Sequence, residues 1–167
     1  MIVYLNIGSN LKDRLKNILE AIAYIQELDW VRYNSLVVSH PIESKAWGYD
    51  SDNLFINVGV RLETCREISP LEILDEMKII ENKIGNGENH RDSNGKYKDR
   101  LIDIDIIAID EIIVDVSRLK VPHPRMHERE FVVKPMIELN PNWLHPTLGH
   151  KWKDLIEGTV EFNKSRN

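Results

Sequence analysis

In the stretch YKDRLIDIDIIAID, residues 97–110, two carboxylates, Asp103 and Asp105, alternate with isoleucines. A strand repeats its side-chain direction every two residues, so these acids share one face, ~6–7 Å apart at a rise of ~3.3 Å per residue. Two like charges so placed are either solvated on an exposed strand or turned toward a divalent cation. Magnesium takes oxygen ligands, commonly one or two carboxylates, with phosphate and water in the remaining positions. Acids one strand repeat apart suit two such ions held against a polyphosphate. D-x-D alone does not decide the matter, because glycosyltransferases and polymerases also use it.

The surrounding residues favour the second reading. Arg100 stands three residues before Asp103, and RLKVPHPRMHER packs Arg118, Lys120, His123, Arg125, His127 and Arg129 into residues 118–129. Cations at this density beside two acids suit a triphosphate, although a solvated basic loop would read the same way. His123 and His127, four apart, suggest zinc, but Pro124 disfavours a helix there and H-E-x-x-H is absent. IGSNLKDR, residues 7–14, lacks both the P-loop lysine and the three-glycine dinucleotide pattern and reads as a capped turn. Metals and arginines must then hold any nucleotide, with loops 40–53 and 86–99 closing over it. Phe55 and Asn57 share one side of a strand, after a loop carrying Trp47 and Tyr49. A ring beside a carboxamide can stack on a flat heterocycle and read its edge, or the ring can simply cover core. Tyr4 and Trp30 are assigned to the core.

The elements that position these groups follow from periodicity. Residues 2–7 read as a strand ending in turn residues 8–10, with Asn10 as helix N-cap and Asp13 in the first turn. Leu11, Leu15, Ile18, Ile22 and Ile25 mark an amphipathic helix. Residues 30–39 read as a strand and 40–53 as a loop. In strand 54–63, Leu54, Ile56, Val58, Val60 and Leu62 form an apolar face opposite Phe55, Asn57, Gly59, Arg61 and Glu63. Ser69, Pro70 and Glu72 announce a helix running through Leu74, Met77, Ile80 or Glu81, and Ile84 to a stop at Gly85. Residues 86–99 lack apolar periodicity and read as a mobile loop. Strand 101–109 follows, with Ile102 through Ala108 apolar at every second place. A hairpin-like EIIVD and short helical pieces near 131–138 and 151–157 complete the chain. The order β-α-β-β-α-β predicts an α+β fold: a ferredoxin-like sandwich with two helices on one face of an antiparallel sheet, elaborated by the C-terminal hairpin and helices. Residues 1–167 read as a single domain.

Composition narrows the partners. With 22 Lys and Arg against 27 Asp and Glu, the net charge is −5, which argues against a general nucleic-acid binder. One cysteine, Cys65, makes no internal disulfide. No apolar run reaches membrane-span length, and the N-terminus lacks signal-peptide features. A cytoplasmic, monomeric protein acting on small molecules is expected, with no nucleic acid and no membrane.

Taken together, YLNIGSNLKDRL, FIN, DRLIDIDII, VPHPRMHEREFVVKPMIELNP and HPTLG resemble the 6-hydroxymethyl-7,8-dihydropterin pyrophosphokinases over about residues 2–150. The combination of R-x-x-D-[LI]-D with V-P-H-P and R-x-F is the specific part. The resemblance implies transfer of pyrophosphate from ATP, the co-substrate, to the pterin's hydroxymethyl oxygen, with release of AMP in folate biosynthesis. It implies that Asp103 and Asp105 bind two Mg²⁺ ions and act in catalysis with Arg100. Glu81, Tyr97, Arg100, Ile106, Arg118, Lys120, His123 and Arg129 match ATP-binding positions. Ser44, Trp47, Phe55, Asn57 and Phe131 match the pterin pocket, with the ring stacked between Phe55 and Phe131. Three features depart from the family. Lys98-Asp99 replaces the common Gly-Pro. Asn86 follows Gly85 where a basic residue is usual, which leaves Arg91, Lys96 or Lys98 to compensate from a longer loop. ESKAWGY replaces a threonine followed by prolines, so Ser44 keeps a hydroxyl while Lys45 and Ala46 loosen the loop. A palm-like nucleotidyltransferase and a non-catalytic ferredoxin-like binding domain stand as alternatives.

Overall fold

The computed structural model describes residues 1–87, 93–95 and 97–154. Its central strand is β1 (Ile2–Ser9), of which all but the first residue is buried. On one side β1 pairs with β4 (Phe55–Glu63) and on the other with β5 (Asp103–Ile109), both antiparallel. Two short strands, β2 (Val37–Val38) and β3 (Ile42–Ser44), pair with successive stretches of β4, giving the order β2-β4-β1-β5 with β3 also on β4. The helices α1 (Arg14–Gln26) and α2 (Pro70–Gly85) connect the halves. This is the ferredoxin-like arrangement, two interleaved βαβ units.

Alternation assigns the faces. Val3, Leu5 and Ile7 of β1 join Val58, Val60 and Leu62 of β4 and Ile104 and Ile106 of β5 in the core beneath α1 and α2. The helices meet them with Ile18, Ile22 and Ile25, and with Ile73, Met77, Ile80 and Ile84. Burial of each such side chain is worth ~1.5–3 kcal/mol, so this seam dominates the stability. The other face carries a second core of Tyr4, Ile107, Ala108, Val132, Val133, Met136, Trp143 and Trp152 beneath α3 (Glu130–Leu139). Trp143 and Trp152 stack with ring centroids 4.4 Å apart. Close approach of α3 needs Gly59, where a Cβ would lie 2.7 Å from Pro135 Cβ.

Several local expectations are corrected. Residues 30–39 do not form one strand: Asn34 takes φ +56° in a turn closed by Ser35 N–H on Arg32 O, so only Val37 and Val38 remain strand, with Val31 bridged to Thr64. The loop 40–53 contains β3. The N-cap of α1 is Asp13, whose side chain accepts from Lys16 N–H, because Lys12 (φ +55°) delays the helix. Leu15 is therefore exposed and Ala21 takes a core place. The α2 N-terminus forms as read, a Ser69–Glu72 capping box with Pro70 first, but its cap at the other end is Asn86, left-handed at φ +53°. The alternation of β5 breaks where the register with β1 shifts between Tyr4 and Leu5, a bulge that turns both Ile107 and Ala108 into the second core. The hairpin falls slightly later than EIIVD, as β6 (Val114–Val116) and β7 (Leu119–Val121). Residues 152–154 are helical, and the remainder of the piece expected at 151–157 lies outside the described residues.

Candidate active site

Two rows of residues cross the sheet on the face away from α1 and α2. Gly8 pairs with Asn57 on one side and Asp103 on the other, and Asn6 pairs with Gly59 and Asp105. Beyond the edge of α3 this face opens into a cleft of about 400 Å³ with Asn6, Asn57, Asp103 and Asp105 among its lining. Ser44 from β3, Phe55 and Trp47 form one wall, and Phe131 from the first turn of α3 overhangs another. A Cβ on Gly8 would sit 2.8 Å from Asn57 Oδ1 and 3.3 Å from Phe55 Cδ1, so glycine leaves these groups their places. The buried Asn57 carboxamide is fixed by donation from Nδ2 to Ser44 Oγ at 2.9 Å. That leaves its carbonyl oxygen to read a ligand edge beside the Phe55 ring.

Cations meet the acids from three directions. Arg100 lies 3.0 Å from Asp103 Oδ2, and Arg129 lies 3.2 Å from Asp105 Oδ2. The Arg100 guanidinium also sits over the rings of Phe55 and Tyr97, at 5.7 and 5.4 Å. Arg125 and Arg129 flank Trp47, at 4.2 and 4.6 Å. From α2, Lys78 lines the cleft and holds Glu81 Oε2 at 2.6 Å, while Glu81 Oε1 accepts Ile104 N–H at 2.7 Å. Burial pushes the Glu81 carboxyl up to about 7 against the pull of Lys78, with Asp103 adding to the rise. For Lys78 burial works downward, but Glu81, Asp103 and Asp105 outweigh it and hold the ammonium above its ordinary value. His123 is pushed down to about 4 by burial and by Arg129. Its Nδ1 accepts Arg125 N–H at 3.2 Å, so at neutral pH it is a neutral ring offering Nε2–H as a donor.

Asn6 Oδ1, Arg100 Nε and Arg129 Nε are buried without a hydrogen-bond partner among the described residues. Each such orphan costs ~1–3 kcal/mol unless a ligand or water satisfies it. An orphan amide oxygen next to two carboxylates, faced by orphan guanidinium donors, suits a hard cation together with an anion. The donor set is all oxygen, so the residues fit Mg²⁺. Among the described residues, no three His, Cys, Asp or Glu side chains gather into a metal cage. The acids account for only part of a coordination shell. A shallower hollow lined by Met1, Thr64, Arg66 and Glu72 lies at the other end of β1, without these groups.

The family model for 7,8-dihydro-6-hydroxymethylpterin-pyrophosphokinase (HPPK) matches residues 4–141. The chain belongs to this family. It is similar to the 2-amino-4-hydroxy-6-hydroxymethyldihydropteridine pyrophosphokinase of Aquifex aeolicus, 37% identical over 86% of this chain and 83% of that one. The corresponding Porphyromonas gingivalis protein is 37% identical over 87% of this chain and 94% of its own length. The folic acid synthesis protein FOL1 of Dictyostelium discoideum matches at 37%, but this chain spans 21% of it. Among solved structures, Plasmodium falciparum HPPK-DHPS aligns with a TM-score of 0.69 at 14% identity, over 98% of this chain and 45% of that one. The last likeness concerns the fold.

Within this HPPK-family chain the structure brings Ser44, Trp47, Phe55, Asn57, Phe131, Tyr97, Arg100, Asp103, Asp105, His123 and Arg129 to one cleft. It does not bring four others to the lining. Glu81 is buried below the cleft and reaches it through Lys78 and the Ile104 amide. The Ile106 side chain faces the helices as part of the core. Arg118 pairs with Asp75 of α2, and Lys120 pairs with Asp115 across the hairpin, both on the exposed surface. Of the cations expected to compensate for Asn86, Arg91 and Lys96 lie outside the described residues, and Lys98 is not on the lining. Sequence reasoning missed Lys78 and Asn6. The signal for Lys78 was its position three residues before Glu81, on the same helix face. For Asn6 it was its period-two register with Gly8.

Proposed function

We propose that residues 1–167 form one domain that transfers the pyrophosphoryl group of ATP to 6-hydroxymethyl-7,8-dihydropterin in the cleft, releasing AMP for folate synthesis. The bond between the α,β-bridging oxygen and the β-phosphorus breaks, and a bond forms from the hydroxymethyl oxygen to that phosphorus. The hydroxyl proton is released, and AMP leaves with the bridging oxygen. Two Mg²⁺ ions held by Asp103 and Asp105 would supply charge neutralisation of the triphosphate and of the leaving AMP. Arg100, Arg129, Lys78 and neutral His123 bind and orient the phosphate oxygens. Phe55 and Phe131 clamp the heterocycle while Asn57 reads its edge, so the reaction becomes one of positioning. Glu81 acts from below, anchoring Lys78 and the strand between the acids.

The observation that carries this reading is the opposition, in one cleft, of two strand carboxylates with Arg100, Arg129 and Lys78 beside an aromatic and carboxamide wall. A cytoplasmic monomer is part of the proposal, its compartment supported by the lone free Cys65. Among the described residues no helix is long and apolar enough to cross a membrane. The test is nucleotide product analysis with Mg²⁺, ATP and the hydroxymethyl pterin. AMP should form only when the pterin is present. Pterin-independent release of pyrophosphate would instead identify a nucleotidyltransferase, and absence of turnover a binding module.

A further inference from the structure

Asp99, in the Lys98-Asp99 pair that leads into the acid strand, has no role in the site described above. Its carboxylate is nevertheless held through both oxygens. Oδ1 accepts from Asn10 Nδ2 at 2.8 Å and Oδ2 from Asn53 Nδ2 at 2.5 Å, and the nearby hydroxyls of Tyr49 and Ser51 favour its charged form. These donors come from two places. Tyr49, Ser51 and Asn53 belong to the loop between Trp47 and Phe55, and Asn10 stands at the end of β1. The loop side is tied to itself, with Asn53 N–H donating to Ser51 Oγ at 3.0 Å. Asn10 in turn binds the other half of the cleft: its Oδ1 accepts Arg100 N–H at 2.9 Å, and its Nδ2 also reaches Tyr49 Oη at 3.3 Å. Burial opposes the charge on Asp99, but hydrogen bonds from Ser51, Asn53, Asn10 and Tyr49 outweigh it and hold the carboxyl below its ordinary range. Tyr49 is pushed up, chiefly by burial.

We propose that Asp99 is a positioning residue that latches the heterocycle loop to the Arg100 segment, so that occupancy of one half of the cleft strengthens binding in the other. This rests on the reading that the loop side takes the pterin and Arg100 the triphosphate. The latch does the work that a stiff loop would otherwise do. ESKAWGY lacks prolines between Ser44 and Tyr49, so its geometry is set from outside, by a charge on the strand approach. A linkage of this kind is reciprocal: whatever the pterin does to nucleotide affinity, the nucleotide does to pterin affinity.

The experiment is a set of calorimetric titrations with Mg²⁺, α,β-methylene ATP and the hydroxymethyl pterin, each ligand measured alone and in the presence of the other. The wild-type chain should bind each ligand more tightly, by roughly tenfold, when the other is present. Asp99→Ala should lose most of that factor while binding α,β-methylene ATP alone within about threefold of wild type. Asn53→Ala, which removes a donor from the loop side, should reproduce the loss, and the double variant should be no worse than Asp99→Ala. Thermal melts of each variant establish that the fold is intact. Full coupling in a folded Asp99→Ala, or ligands that bind independently in wild type, overturns the latch. A wild-type chain that binds neither ligand overturns the functional reading, and the latch with it.

Discussion

One face of the sheet is dry at one end and charged at the other, although the same three strands make both. At the dry end Tyr4, Gly59 and Ala108 lie under α3, with Pro135, Met136 and Leu139 around the place of the missing Gly59 Cβ. At the charged end, two to five residues along each strand, Gly8, Asn57, Asp103 and Asp105 face a cleft. Between them the β1–β4 register is unbroken, while the β1–β5 register shifts at the bulge after Tyr4. The larger change is in cover, and α3 decides both ends: its body seals Gly59, and its first turn supplies Phe131 and, just before it, Arg129. Asn6 sits at the boundary, buried yet with Oδ1 unpartnered among the described residues. A site here is a stretch of sheet from which the apolar lid has been withheld.

The strongest way to break the comparison is to neutralise the charged end. Asp105→Ala should lower Mg²⁺-dependent turnover by about a thousandfold or more, since ion-mediated charge stabilisation is worth several kcal/mol. The thermal midpoint should stay within ~4 °C of wild type, because the carboxylate lies outside both cores. Turnover near wild type would remove these acids from the chemistry. The two glycines offer a matched pair. Gly8→Ala drives a Cβ to 2.8 Å from Asn57 Oδ1, and it should weaken pterin binding by roughly 10- to 100-fold, ~1.4–3 kcal/mol, with little change in stability. Gly59→Ala meets Pro135 Cβ at 2.7 Å, and it should cost ~1–3 kcal/mol of stability while leaving pterin affinity unchanged well below the melt. Equilibrium unfolding and pterin titration of both variants check the pair; the same profile for both would erase the distinction between the two ends.

The charged end was the more legible in sequence. Asp103, Asp105, Arg100, Phe55 and Asn57 announce themselves through type and period, and the α2 capping box is local chemistry that needs no tertiary context. Strand 30–39 was misread because β-branched residues outweighed one left-handed Asn34. The phase of β5 was misread past Ile106 because a bulge depends on its partner strand, and nothing within IDIIAI encodes it. Long side chains failed in a third way. Arg118 and Lys120 have the charge for a phosphate site, yet Asp75 and Asp115 claim them on the surface, which spacing along the chain cannot report. Lys78 escaped notice for the converse reason, because an isolated lysine on a helix ordinarily marks a solvated face.

Lys78 sharpens the comparison at smaller scale, because it reaches the charged end from a helix whose other residues build the core. Lys78→Met keeps the stem and removes the charge. Affinity for Mg²⁺-loaded α,β-methylene ATP should fall by about tenfold, ~1.4 kcal/mol, and the salt dependence of binding should become shallower. Unchanged affinity and salt slope would return Lys78 to a purely structural partnership with Glu81.

The smallest effect separates the two sides of the strands by pH. Glu81, on the helix side, titrates at about 7 when folded, against an ordinary value of 4.5. Folded protein therefore holds its proton more tightly, and its contribution is complete below 4.5 and lost as pH rises toward about 7. His123, on the cleft side, titrates at about 4 against an ordinary 6.5. Folded protein releases that proton more readily, so this contribution is complete above 6.5 and lost as pH falls toward about 4. Between 4.5 and 6.5 the two slopes oppose one another, and the wild-type dependence through that window should be shallow. Single variants uncouple them. Glu81→Gln should leave stability rising with pH across the window, and His123→Gln should leave it falling. Denaturant unfolding at half-unit pH steps distinguishes the cases, and slopes of the same sign in both variants would mean that burial on the two sides of the sheet does not act oppositely. Opposite slopes would show why the two groups belong together. A buried acid under the strand and a half-buried base above it let the chain carry both groups through mildly acidic pH without a steep dependence of folding on pH.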